Sequence, residues 1–142
     1  MWASVIAVVG TLLGSVTAYV LQQRGSERVA LRRERLAAVT ALSAALADHR
    51  RAMWVREDLR LAGADAAAYD AARAESHATR SVVTAPMTTL AVLAPDLVDS
   101  ARAAASAVYA LRGARDVGAL AAARTAAIDA CDRFVAHAAK HV

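Results

Sequence analysis

From Trp2 to Gln23 the chain carries no charged side chain, and the run ends abruptly at Arg24. A helix of about 20 apolar residues, rising about 1.5 Å per residue, matches a hydrocarbon core about 30 Å thick. Residues 1–24 therefore read first as a single transmembrane helix. Trp2 and Tyr19 stand where interfacial aromatics belong, and Arg24, Arg28, Arg32, Arg33 and Arg35 form a positive flank of the kind that stays cytoplasmic. This pattern predicts a single-pass protein of the cell membrane, N-terminus outside, with residues 25–142 as a cytoplasmic helical domain. Val16-Thr17-Ala18 supports a rival reading as a signal-peptide cleavage site, but a signal peptide carries its positive charges ahead of the apolar region and here they follow it.

Within the run, Ala3, Ala7, Gly10, Gly14 and Ala18, extended by Leu21, are spaced three or four apart and fall on one helical face. In lipid there is little hydrophobic drive between helices, so small residues that permit close backbone approach are what pack them. With one such segment per chain, the partner helix comes from another copy or another protein. A homo-oligomer is the simplest expectation.

Forty alanines and two prolines in 142 residues favour helix throughout. Gly25-Ser26 is the only soft spot after the apolar run, and a single glycine costs a helix about 1 kcal/mol, so the first helix can continue in one piece toward Leu61. Leu36, Val39, Leu42, Leu46, His49 and Met53 give that segment an apolar stripe. Ala62-Gly63-Ala64 makes a turn and Asp65 an N-cap for a helix from Ala66 toward Leu93, kinked near Ala85 by Pro86. Its inner face is read as Tyr69, Ala72, Ser76, Val83, Met87 and Leu90. Ala94-Pro95-Asp96 opens a third helix carrying Leu97, Ala101, Ala104, Val108 and Leu111, ended by Gly113. Asp116 caps a fourth, with Leu120, Ile128, Cys131, Phe134 and Val135 on its apolar side. The fold class expected is all-α: an N-terminal transmembrane helix followed by an up-and-down bundle, alanine-rich and so helped by oligomerisation.

A net charge of +4 raises the question of nucleic acid. The excess is concentrated in the five arginines from 24 to 35, offset by Glu27 and Glu34, and the rest is nearly balanced. Later charges pair at helical spacing, as in Asp48 with Arg51, Glu57 with Arg60 and Asp129 with Arg133, each worth roughly 0.2–0.5 kcal/mol when exposed. A DNA-associated role is the alternative reading; anionic lipid is the favoured partner of the arginine cluster, at about 1 kcal/mol per basic residue. Trp54 with Arg50, Arg51 and Arg56 imitates a stacking platform, but Glu57 and Asp58 adjoin it.

No phosphate-cradling glycine loop, nucleophile elbow, HExxH or CxxC occurs in the sequence. No enzymatic activity, cofactor or metal is expected. His137 and His141, one turn apart, are the best pair of metal ligands and lack a third. His49 on the apolar stripe reads as a hydrogen-bonded core histidine, and Cys131, the single cysteine, as a small buried hydrophobe that excludes an internal disulfide.

Three stretches, VIAVVGTLLGSVTAYVLQQR, RERLAAVTALSAALADHRR and APDLVDSARAA, together resemble the KilB-like small membrane proteins of actinobacteria. The resemblance implies a non-enzymatic membrane protein, an accessory of conjugative plasmid spread. It supplies no catalytic motif to place on individual residues. Joined to the reading of the residues, it predicts a membrane-anchored, self-associating scaffold or docking protein.

Overall fold

A computed structural model describes the backbone of residues 2–141 and the side chains of residues 26–141. The elements in chain order are α1 (Trp2–Leu61), α2 (Ala66–Val82), α3 (Thr84–Leu93), a single 3-10 turn (Pro95–Leu97), α4 (Val98–Tyr109) and α5 (Val117–His141). Among the described residues there is no strand. The chain divides into two compact units, Met1–Glu34 and Arg35–Val142.

The expected architecture of a separate transmembrane anchor followed by a bundle is corrected. Among the described residues no helix is long and apolar enough to cross a membrane. The N-terminal run is the opening of α1, a helix of 60 residues. Gly25 does not interrupt it, because one glycine costs less than the helix-forming Ala, Leu, Arg and Glu on either side return. The charges from Arg24 onward thus belong to the same helix as the apolar run. The side chains of Ala3, Ala7, Gly10, Gly14, Ala18 and Arg24 lie outside the described residues.

In the unit Arg35–Val142, α1 contributes a buried stripe that repeats every seven residues. Ala38, Ala45 and Ala52 form one row, Val39, Leu46 and Met53 a second, and Leu42, His49 and Arg56 a third. A stripe three positions wide serves neighbours on more than one side. Its contacts show this: His49 meets Thr79 of α2 and Tyr109 of α4, while Arg124 of α5 lies over Trp54. The same buried cluster takes in Leu90, Leu97, Ala101, Ala104, Val108 and Leu111, with Leu120, Ala127, Phe134 and Ala138 from α5.

The termini follow the sequence closely. The Asp65 carboxylate accepts from the Ala68 N–H at 2.9 Å, and Asp116 accepts from the Ala119 N–H at 2.7 Å. After α1 the Ala64 N–H reaches the Leu59 carbonyl at 3.0 Å and the Gly63 N–H reaches Arg60 at 3.3 Å. This Schellman pairing needs a left-handed residue, and Gly63 supplies φ +65°. The predicted kink near Ala85 falls instead at Val83, where α2 stops and α3 begins. Pro86 has no N–H for the Val82 carbonyl and its ring crowds that carbonyl, so the break comes one turn ahead of the proline. Leu36 and Val135, both placed on apolar stripes by sequence, are 57% and 46% exposed. The buried face of α5 runs through Leu120, Ala127, Ala130, Phe134 and Ala138, which turns Val135 outward.

Glu57 is the pin of this fold. It is 1% exposed, accepts from the Arg60 Nε at 2.7 Å and from the Gly113 N–H at 3.1 Å, and lies 3.7 Å from the Arg56 guanidinium. Arg60 also donates to the Ala114 carbonyl. The end of α1 is thereby tied to the connection between α4 and α5. Replacing a buried, compensated charge leaves its partners stranded, so Glu57→Ala is expected to lower stability by about 3–5 kcal/mol, read by urea denaturation. A loss under about 1 kcal/mol, the range of an exposed pair, would show the pin to be superficial.

Candidate functional site

The sequence gathers its arginines in residues 24–35, and the structure sorts them. Arg28, Arg32 and Arg33 are exposed on α1, interleaved with the exposed apolar side chains of Val29 and Leu31, with Leu36 beyond them. Arg35 departs from the group: it is half-buried and its Nε donates at 2.7 Å to the carbonyl of Leu93, the last residue of α3. There it satisfies an orphan carbonyl at the negative end of a helix.

The aromatic and basic patch around Trp54 is rearranged: Arg50, Arg51 and Arg124 line one hollow with Trp54, and Arg56 leaves it. Arg51 pairs with Asp48 at 2.6 Å, Arg56 is buried, and the Trp54 ring is covered by the Arg124 guanidinium 4.9 Å from its centroid. One face of the ring is thus taken by a guanidinium, where a base would have to displace it. His137 and His141 do come together, edge to face with ring centroids 4.6 Å apart, but His137 Nδ1 engages the Ser100 hydroxyl at 3.0 Å. Among the described residues no group of three or more side chains is placed to hold a metal ion. Cys131 is half-buried beside Arg50, and burial pushes its thiol above the ordinary value.

A site that sequence reasoning missed lies between α1, α2 and the end of α4. It is a cleft of about 310 Å³ to which α1 contributes His49 and Arg56, and α2 contributes Ser76, His77 and Arg80. Tyr109 and Arg112 close it. Arg56 reaches the Ser76 hydroxyl at 3.4 Å and the Tyr109-side wall is formed by Arg80 lying over the Tyr109 ring, 3.8 Å from its centroid. The imidazole of His49 is 1% exposed, shares a hydrogen bond of 3.0 Å between Nδ1 and the Thr79 hydroxyl, and meets Tyr109 edge-on at 5.5 Å. Its Nε2 and the Arg56 Nε are buried without a hydrogen-bond partner. The only signal in the sequence was the presence of His49 and Arg56 at positions where the stripe of α1 calls for apolar residues.

Burial first, and then the charges of Arg80 and His77, hold the His49 pKa down at about 4 against an ordinary 6.5. The folded chain therefore keeps His49 neutral where the unfolded chain has already taken up a proton. The resulting stability is complete above pH 6.5 and is lost as the pH falls from 6.5 toward 4. The loss from this one group is about 3 kcal/mol. In His49→Gln, urea midpoints are expected to fall less steeply across that window than in the native chain. Parallel pH profiles would remove His49 from the acid response.

Comparison with known proteins places the chain in a family. Residues 36–142 match the family model described as KilB plasmid transfer protein. The chain is 55% identical over 143 residues to Protein KilB of Streptomyces lividans, covering 99% of this chain and 97% of that protein. No solved structure matches. The match takes in nearly the whole unit Arg35–Val142, with its heptad stripe, its Glu57 pin and its basic cleft, and this chain belongs to the KilB plasmid transfer protein family.

Proposed function

We propose that this chain is a non-enzymatic accessory of plasmid transfer, a self-associating helical scaffold whose domain docks partners at the anionic cytoplasmic surface of the cell membrane. The observation that carries this reading is on α1. Arg28, Arg32 and Arg33 stand exposed among Val29, Leu31 and Leu36, a segment able to meet anionic headgroups and apolar partners together. The plasmid role rests on the family and on the name of the Streptomyces lividans relative. Self-association is supported by an alanine-rich core, which buries little area per helix and gains from further burial between copies.

Partition of the full chain onto vesicles tests the first part. Replacing Arg28, Arg32 and Arg33 together by Gln is expected to weaken binding to phosphatidylglycerol-containing vesicles about 100-fold, at about 1 kcal/mol per charge, and to leave phosphatidylcholine vesicles unaffected. Equal binding by native and variant chains overturns the lipid reading. Retention of duplex DNA at physiological salt, lost in the same variant, assigns the arginines to nucleic acid instead. Light scattering tests the scaffold, which a single-chain mass at all concentrations refutes.

The side of the membrane is read independently. Ser106 is exposed on α4, and a cysteine placed there is expected to resist an impermeant maleimide in intact cells and to react after lysis. Labelling before lysis puts the domain outside.

A further inference from the structure

We propose that the cleft between α1, α2 and the end of α4 binds a small phosphate-class anion, free phosphate or a phosphate monoester, held by Arg80, Arg112 and His77 at its mouth and by His49 at its floor. The inference goes beyond the scaffold reading and uses none of the α1 arginines on which that reading rests.

Charge is the first ground. Arg56, Arg80 and Arg112, with His49 and His77, line the cleft, and no carboxylate lines it. Glu57, next in sequence to Arg56, lies 3.7 Å from the Arg56 Nε and spends its hydrogen bonds on Arg60 and the Gly113 N–H, which leaves Arg80, Arg112 and His77 without a carboxylate. Arg80, Arg112 and His77 take part in no side-chain hydrogen bond or ion pair among the described residues. Guanidinium groups placed side by side without a counter-charge repel one another, and a chain that gains nothing from them would separate them. An anion removes the repulsion.

Buried polar atoms without a hydrogen bond are the second ground. The His49 ring is anchored through Nδ1 to Thr79, which borders a different hollow, beside Asp48, Arg51 and Glu75. Nε2, on the opposite side of the ring, is the atom left for the cleft, and it is buried with no partner. The Arg56 Nε also lacks a hydrogen bond, although Glu57 lies 3.7 Å away. A buried polar atom without a partner costs free energy, and a ligand able to pair with it recovers that cost. The Thr79 hydroxyl donates to the Glu75 carbonyl at 3.0 Å, so it accepts from His49 Nδ1–H, and Nε2 offers its lone pair to the P–OH of a monoprotonated phosphate.

Preorganisation is the third. The Arg80 guanidinium rests on the Tyr109 ring at 3.8 Å, a stacking that fixes its plane while leaving its N–H edge available for bidentate contact with phosphate oxygens. The volume, about 310 Å³, suits an anion from inorganic phosphate to a small phosphate monoester.

The test uses the full chain, with inorganic phosphate, pyrophosphate and glycerol phosphate as probes, each against sodium chloride at matched ionic strength. Expected is a saturable rise in thermal midpoint with the phosphates and none with chloride. Arg80→Gln with Arg112→Gln, both at exposed positions and therefore tolerated by the fold, is expected to weaken binding by tenfold or more. A control with Arg28→Gln and Arg32→Gln is expected to bind as the native chain does. In labelled protein the His49 Nε2 resonance shifts along the same saturation curve. An equal rise in chloride, binding unchanged in the Arg80 and Arg112 variant, or loss in the control each overturns the site. So does binding confined to phosphatidic acid vesicles with none to glycerol phosphate, or displacement by duplex DNA with the same dependence on Arg80 and Arg112. Those last outcomes give the cleft to a lipid headgroup or to a nucleic-acid backbone.

Discussion

A buried carboxylate near the end of α1 decides how the rest of the domain is held. The faces that meet in this bundle are mostly alanine, which lets helices approach closely yet removes little apolar area from water at each contact. Alanine faces are also nearly featureless, so one register packs about as well as the next. Glu57 breaks that degeneracy. Its two hydrogen bonds, to Arg60 and to the Gly113 N–H, can be made in one alignment of α1 against the α4–α5 connection. Gly113 must itself be at φ +76° to present its N–H there, which ties a backbone conformation to the same carboxylate. Specificity in this domain comes from polar pins set into a smooth apolar interface.

The same view explains why a small core tolerates His49 and Arg56. Each occupies a position that repeats the place of Leu42 along α1, and each is buried. Their partners come from α2: the Thr79 hydroxyl for His49, the Ser76 hydroxyl for Arg56. These contacts set α2 against α1, where the α2 side of the interface offers few large apolar groups. They do so incompletely, since His49 Nε2 and Arg56 Nε make no hydrogen bond. An interface that leaves a buried imidazole nitrogen without a hydrogen bond beside Arg80 and Arg112, which no carboxylate in the cleft offsets, is poorly explained as packing alone.

What the sequence disclosed and what it hid divide along physical lines. Asp65, Asp116, Gly63 and Gly113 were legible because caps and left-handed terminators act within one turn. The α1 stripe was legible from Val39 to Met53 because periodicity is a property of one helix. Errors entered where a residue's setting depends on a second element. Leu36 matched the spacing of the stripe but lies beyond the neighbours that would cover it. Arg35 belongs by sequence to the surface cluster, yet the carboxy end of α3 offers it a carbonyl that needs a donor. The cleft was hidden altogether, since Arg80, Tyr109 and Arg112 share no spacing with His49 and meet it only through the packing of three elements. The small-residue stripe from Ala3 to Ala18 is as plain in the sequence as before, and its side chains lie outside the described residues.

The continuity of α1 and the start of its folded domain are governed by different terms. Helix propensity sees each residue in turn, and arginine serves nearly as well as leucine, so nothing between Leu21 and Leu61 stops the helix. Core formation sees the face. Stepping back by sevens from Val39 and Leu42, the same register positions hold Arg32, Arg35 and Arg28. Guanidinium groups at those places cannot be buried without partners, and one of them, Arg35, is half-buried where the Leu93 carbonyl provides one. The compact unit begins at that residue. Along a single uninterrupted helix, the compact unit begins where arginine gives way to apolar side chains at one register.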